Sequence, residues 1–415
     1  MIHFGIVSPP VSGHIHPFAA LGRELLSRGH RVTYFQVVDL EEKISSEGLG
    51  FVPIGESDHP RGSLPASLAQ LGQLKGTAAL RFTIRAVERT TEMTCRDLPD
   101  AVRRAGVDAL LVDQMEEAGG AVAEHLGIPF VTVCNALAIN TEAQVPPPFT
   151  PWQYSDASWT QWRNRLGYAI SARLTKRVSD VVARYRASWH LPRHRSMDES
   201  FSTLAQICQM PRAFDFPRAE LPGTFHYVGP LRRDAHKPVP FPWDRLDGRP
   251  LVYGSLGTLQ NSREPIFRCF AEACRGLDVQ LVLSHGGGLT PDEAASLPGQ
   301  PLVMSYAPQY ELLARASLTI THAGLNTVLD SLANGVPLVT VPITYEQPAI
   351  ARRVERAGAG ECISMGRLGP ARLRQTVQAV LEQPRYREAA QRIADGTRAA
   401  GGVRRAAEIV ESALA

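Results

Sequence analysis

Tyr306-Ala-Pro-Gln309, Thr321-His-Ala-Gly-Leu-Asn-Thr327, Asp330, Gly335-Val-Pro337 and Glu346-Gln347 follow one another in the last third of the chain. Their order decides the fold. Leu318 to Thr321 reads as a strand that ends at His322. Gly324 permits a close backbone approach, and Asn326 and Thr327 open a helix whose free N–H groups attract phosphate. The side chains of His322, Asn326 and Thr327 add donors. Asp330 falls one turn on, on the face of Asn326, where it can take ribose hydroxyls. Tyr306, in the loop with Ala307 and Gln309, offers a ring for a base to stack on. Glu346 and Gln347 follow the next strand and can grip sugar hydroxyls. An ordinary strand–helix–strand unit has no need of all these polar groups near strand carboxyl ends. The stretch therefore predicts a Rossmann-like unit that clamps a nucleotide sugar.

The same rhythm extends outward in both directions. A βα series starts at Leu251–Tyr253 and runs to about Ala394. Gly401-Gly402 then breaks the chain before a last helix, Val403–Leu414. In the first half, strands are predicted at Ile2–Val7, Arg31–Gln36, Phe51–Ile54, Ala109–Val112 and Pro129–Val133. Helices are predicted from Pro17 to about Arg28 with Pro at the first turn, from about Ala66 to Ala105, and over Glu116–Leu126. This alternation predicts a doubly wound parallel sheet. Residues 144–160, with Pro146, Pro147, Pro148, Pro151, Phe149, Trp152, Tyr154 and Trp159, break the rhythm. Helical periodicity returns from Gln161 to Ser188, and strands near Ala205–Gln209 and Phe225–Val228 close the half. Residues 230–250 are too rich in proline for a regular element. The expected class is α/β, two Rossmann-like doubly wound domains facing across a cleft. The division is 1–232, a linker 233–249, 250–398, and a closing helix in 399–415.

Bulk properties agree with such an enzyme. At 415 residues two domains are the default. A net charge of +3 is too small to argue for nucleic acid as a partner. The cysteines (95, 134, 208, 269, 274, 362) form no C-x-x-C and sit mostly in apolar runs, so buried free thiols in a reducing cytoplasm are expected. Met-Ile-His-Phe-Gly-Ile-Val at the start reads as a buried strand and not as a signal peptide. No apolar run reaches the roughly 18–20 residues of a membrane span.

The quoted stretch resembles the donor signature of the inverting, nucleotide-sugar-dependent glycosyltransferases of the two-Rossmann (GT-B) type. Plant members carry it as W-A-P-Q, then H-C-G-W-N-S-x-x-E, then D/E-Q. Here Tyr306 replaces the first Trp, Leu325 the second, Thr327 the Ser and Asp330 the Glu. The resemblance covers nearly the whole chain. The family pattern P-x-x-x-G-H-x-x-P matches Pro9, Pro10, Gly13, His14 and Pro17. It implies that His14 is the base that deprotonates an acceptor hydroxyl, with Asp113, at the end of its strand, as the orienting carboxylate. Ser255-Leu-Gly257-Thr258 resembles the family's S-F-G-S/T loop at the phosphates. Asn135 falls where relatives place a Thr against the sugar's 6-hydroxyl. In that family the last helix returns to brace the N-terminal domain.

A His14/His16 metal pair lacks a third ligand in sequence, and no D-x-D motif precedes a cleft loop. The helix start and His322 can stand in for a metal's charge on the leaving diphosphate, so no metal and no bound cofactor are expected. His285-Gly-Gly-Gly288 mimics an esterase oxyanion loop, but the chain has no G-x-S-x-G. It has no G-x-G-x-x-G after the first strand either, which disfavours a nicotinamide enzyme. Two rivals remain in other classes, a sugar-nucleotide 2-epimerase and a non-catalytic nucleotide-sugar-binding protein.

Within the family, the chain is similar to bacterial carotenoid (zeaxanthin) glucosyltransferases. The residues that carry this are His3–Pro10, Phe214-Asp-Phe-Pro217, Phe225–Arg232, Ser255–Gln260, Thr319–His322 and Asn326–Asp330. The resemblance implies UDP-glucose as donor and an apolar hydroxylated acceptor. Flavonoid, macrolide or terpenoid acceptors and a dTDP-sugar donor stay open. Four of the five tryptophans (Trp152, Trp159, Trp162, Trp189) lie between residues 152 and 195. Arg163, Arg165, Arg173, Lys176, Arg177, Arg184, Arg186, Arg193 and Arg195 share the stretch with Asp156 and Asp180. A solvated basic face beside core aromatics is one reading. Contact with an anionic lipid surface is the other. A carotenoid diol is hardly soluble in water, which turns the stretch 163–195 toward a peripheral seat on the inner face of the membrane.

Overall fold

The computed structural model describes residues 1–74, 76–232, 239–257 and 263–415. Seven strands form the first sheet: β1 His3–Val7, β2 Arg31–Gln36, β3 Gly50–Pro53, β4 Ala109–Asp113, β5 Phe130–Cys134, β6 Gln206–Cys208 and β7 Phe225–Tyr227. Six form the second: β8 Leu251–Ser255, β9 Gln280–Ser284, β10 Leu302–Met304, β11 Ala316–Thr321, β12 Leu338–Thr340 and β13 Gly360–Cys362. The orders are β3-β2-β1-β4-β5-β6-β7 and β10-β9-β8-β11-β12-β13. Every strand pair is parallel. β1, β4 and β8 are buried along their whole length because helices cover both faces. The winding reverses between β1 and β4 and again between β8 and β11. Ligands gather at such switch points, outside the strand carboxyl ends. These are two Rossmann-like α/β domains.

Two element boundaries differ from expectation. The first helix spans Ser12–Ser27, so Pro17 lies inside it and not in its first turn. Proline has no N–H to donate to the carbonyl four residues back. The freed Gly13 carbonyl instead accepts from Asn326 Nδ2 of the other domain at 2.9 Å. The long helical region is two helices, Ser63–Gln73 and Gly76–Ala105.

The domains share a core. Cys134, Leu137, Cys208, Met210 and Phe214 of the first half pack in one cluster with Leu325, Val328, Leu329, Ala349 and Ile350 of the second. A buried ionic joint lies beside it. Arg353 Nε donates to Asp215 Oδ1 at 2.9 Å, and Tyr227 OH donates to Asp215 Oδ2 at 2.8 Å. The Arg353 guanidinium lies 4.0 Å over the Phe216 ring. The Phe214–Pro217 motif thus clasps the second domain, and removing one charge of such a pair typically costs about 3–5 kcal/mol. The last helix, Gly402–Ala413, puts Ala406, Ala407, Ile409 and Val410 into the first domain's core. Its Glu411 accepts from Arg28 Nη1 and binds His30 Nε2, each at 3.0 Å. All six cysteines are free, and five of them are buried. Among the described residues no helix is long and apolar enough to cross a membrane.

Candidate active site

His14 lies in the first turn of the helix after β1, and Asp113 is the last residue of the neighbouring β4. His14 Nδ1–H donates to Asp113 Oδ2 at 2.7 Å. The carboxylate is buried, and it also accepts from Asn135 Nδ2 at 2.9 Å and from the Met115 amide at 2.9 Å. A carboxylate can only accept, so it fixes the tautomer and leaves Nε2 as the basic nitrogen. Burial pulls the His14 pKa down. Asp113, by charge and hydrogen bond, with Glu346 and Glu116 behind it, overrides that and leaves it raised. Glu116 itself is pushed up to about 8 by burial, with Asp113 adding to the effect. His16 goes the other way, down to about 4, through burial and the nearby charges of Lys43 and Arg232. His14 Nδ1 is thus committed to Asp113, and Lys43 and Arg232 lie near His16.

On the facing domain, His322 follows β11 and is buried, its pKa lowered to about 4 by desolvation. It is a neutral donor, not a cation. Gly324 and Gly257 give it room: a Cβ on either would stand 2.7 or 2.8 Å from His322 Cε1. The close backbone approach that Gly324 permits is thus made to the imidazole. Ala323, between them, adopts φ +67°, a strained conformation of the kind that gathers at functional sites. The helix Leu325–Ala333 begins there, and its first amides lack intrahelical acceptors.

Several candidate residues turn out to be engaged with each other. Asn326 Nδ2 gives one hydrogen to the Gly13 carbonyl, and its Oδ1 accepts from Gln209 Nε2 at 3.1 Å and Arg232 Nη2 at 3.0 Å. Asp330 accepts from Arg232 Nε at 2.6 Å and from Gln309 Nε2 at 2.8 Å. Gln309 Oε1 also takes the Thr327 hydroxyl at 3.3 Å. Gln347 Oε1 holds the amides of Ile343 and Thr344 at 2.8 and 2.9 Å, which leaves only its amide nitrogen for a sugar. The Ser255 hydroxyl accepts from the Gly257 amide at 3.2 Å. Tyr306 is 61% exposed, so its ring is free to stack. Ala307 is half-buried beside it. Burial raises the Glu346 carboxyl, and His14 acts on it across the cleft.

One assignment is narrowed. Leu325 faces the interdomain core and offers a ligand only its backbone amide. Asn135 gives one amide hydrogen to Asp113 and so supports the dyad, while its buried Oδ1 has no partner among the described residues. Thr258 lies outside the described residues. His285, in the esterase-like loop, is a turn cap: its Nδ1 accepts from the Leu289 amide at 3.0 Å. Sequence reasoning missed Glu116, Gln209 and Arg232 as site residues. Each follows a strand carboxyl end, the same positional rule that found His322; Arg232 also closes the Phe225–Arg232 stretch, which carries resemblance but names no role for it.

The fold and the facing strand-end loops agree with what comparison finds. The family model for UDP-glucoronosyl and UDP-glucosyl transferases matches residues 70–395, and the chain belongs to that family. The zeaxanthin glucosyltransferase of Pantoea ananas is 36% identical, the alignment covering 100% of this chain and 96% of that protein. That of Pseudescherichia vulneris is 37% identical over 100% and 98%. The crystal structure of the glycotransferase of kitacinnamycin superposes with a TM-score of 0.80 at 24% identity, covering 100% of this chain and 99% of that one, and so supports the GT-B fold. The chain is a UDP-glycosyltransferase.

Proposed function

We propose that the enzyme moves glucose from UDP-glucose to a hydroxyl of an apolar acceptor, with inversion to a β-O-glucoside and without a metal. Residues 1–232 hold the acceptor, 250–398 the nucleotide sugar, and the helix in 399–415 ties the second domain to the first. One contact carries the reading. The bond from Asn326 Nδ2 to the Gly13 carbonyl sets the nucleotide helix start one residue from the base. The acceptor hydroxyl gives its proton to His14 Nε2 as its oxygen bonds to the sugar's anomeric carbon. The bond from that carbon to the UDP oxygen breaks on the opposite face. Asp113 holds the imidazolium that forms. The helix amides, Thr327 and the neutral His322 receive the diphosphate charge. Asp330 takes the ribose, Tyr306 the uracil, and Glu346 with Gln347 the hexose.

The names of the two relatives support glucose as the sugar and a carotenoid diol such as zeaxanthin as the acceptor. Such an acceptor places the enzyme in the cytoplasm, against the inner face of the membrane, through the basic stretch 163–195. The test is NMR of the product from UDP-[α]-glucose and a carotenoid diol, with and without EDTA. A β-glucoside in equal yield supports the reading. An α-product overturns inversion, loss of activity in EDTA overturns metal independence, and UDP release without acceptor points to the epimerase class.

A further inference from the structure

The helix Ser158–Ser188 has two unlike faces. One is packed, with Thr160, Asn164, Gly167, Val178 and Val182 buried. The other exposes Trp159, Trp162, Leu166, Ile170 and Leu174, from 45% to 68% accessible. At about 100° per residue and 1.5 Å rise, these five fall within an arc of roughly 120° along about 23 Å of helix. Exposed apolar groups are ordinary when scattered, but a continuous stripe marks a contact surface.

Charge on the helix selects the partner. Much of the basic stretch is already committed. Arg186 is buried on Glu124 and the Pro192 carbonyl, Arg184 pairs with Glu92, and Lys176 pairs with Asp180. Trp152 packs against Gly167, and Trp189 stacks on His125 at 4.4 Å. Arg165, Arg173 and Arg177 are exposed and make no ion pair among the described residues. The surface is therefore the segment 159–177, not the whole of 163–195.

We propose that this face lies on an anionic phospholipid surface, with Trp159 and Trp162 at headgroup level, the aliphatic side chains below it and the three arginines on lipid phosphates. A second copy of the chain fits poorly, because pairing two such faces would set Arg165, Arg173 and Arg177 against their like. The docking surface stands on exposure and charge; its use, collection of a lipid-dissolved acceptor, rests on the acceptor reading above.

The test is co-sedimentation of the full chain with phosphatidylglycerol or phosphatidylcholine vesicles at low and high salt. Binding to the anionic vesicles, weakened by salt, is expected. Replacing Arg165, Arg173 and Arg177 together by Gln should lower the partition about 10²-fold, near fivefold per charge. Trp162→Ser with Ile170→Ser should lower it at both salts. Both exposed-site variants should keep turnover of a water-soluble hydroxylated acceptor, which shows that they fold. Wild type left in the supernatant at low salt, or a triple variant that binds like wild type, overturns the proposal. So does sedimentation velocity showing a dimer that only the Trp162/Ile170 variant loses, without vesicle binding. Vesicle binding with no glucoside formed from any diol supports the surface and overturns the acceptor reading alone.

Discussion

His14 and His322 each follow a strand that borders its sheet's switch point, β1 in the first domain and β11 in the second, and both face the cleft. Their surroundings push them in opposite directions. Both are penalised by burial. His14 has a buried carboxylate at 2.7 Å and acidic neighbours from both domains, so its pKa rises. Among the described residues no carboxylate acts on His322, and burial takes it down to about 4. One imidazole can accept and carry a proton during a reaction; the other stays neutral and donates. Residue type proposes a histidine for both positions, and the neighbouring carboxylate decides the role.

The comparison breaks first at His14. His14→Ala should lower kcat by roughly 10²–10⁴-fold, the usual worth of a general base, with UDP affinity little changed. Asp113→Asn should cost less and should move the acid limb of the rate profile to lower pH. The sign follows from the raised pKa: the base works unprotonated, so activity climbs as pH passes that pKa, and loss of the carboxylate lowers it. Unchanged turnover in His14→Ala would remove the dyad from the mechanism.

His322 makes the opposite prediction, about stability. Its folded pKa of about 4 lies below the ordinary histidine value of 6.5. The neutral form is favoured by folding, so this contribution is present above about pH 6.5 and lost as pH falls toward 4. A shift of this size corresponds to about 3 kcal/mol. Urea unfolding at pH 7 and pH 4.5 should show His322→Asn losing less stability on acidification than wild type. An identical loss in both would mean that the imidazole is not held neutral.

Donor binding comes next. His322→Ala, Asp330→Ala and Arg232→Gln should each weaken UDP by about 1–3 kcal/mol in calorimetry, the range for a lost buried partner. Arg232 sharpens the comparison because it belongs to the His14 domain yet bonds Asp330 and Asn326 of the other. If Arg232→Gln alone leaves affinity intact, the first domain only closes over the nucleotide and does not help to hold it.

The sequence told these regions apart only in part. The strand-end motifs were legible because Gly13-His14 and His322–Asp330 combine a fixed spacing with residue types that a plain βα unit does not need. The dyad partner Asp113 followed from the family pattern. What escaped depends on where the second domain sits. Arg232 ends a run that reads as strand and turn, and nothing local says that it will reach Asp330. Leu325 occupies a donor-motif position but meets Cys134 and Leu137 from the other domain, which no local pattern shows. Proline is cheapest at a helix start, whereas Pro17 sits inside the helix and frees the Gly13 carbonyl for a partner on the other domain. The four tryptophans of 152–195 look alike in composition, yet Trp152, before the helix, packs against Gly167 and Trp189, just past its end, stacks on His125, while helix phase bares Trp159 and Trp162.

The smallest expected effect tests whether the acidic setting of His14 is all charge. Glu116 is nearly buried and its carboxyl is pushed up to about 8, first by desolvation and then by Asp113. At pH 7 it is therefore mostly neutral, and Asp113 is left as the carboxylate that matters. Glutamine has the shape of that neutral acid and keeps a donor and an acceptor, so Glu116→Gln should hold kcat at pH 7 within about twofold. The sign of its stability effect is also fixed. A glutamate raised from 4.5 toward 8 stabilises the fold below pH 4.5, and the contribution is lost as pH rises through 8. Glu116→Gln should thus lose less stability than wild type between pH 6 and pH 9, measured by urea unfolding. A large fall in kcat at pH 7 would mean that Glu116 is ionised there. The His14 site would then hold two carboxylate charges, and its contrast with His322 would be wider than Asp113 alone accounts for.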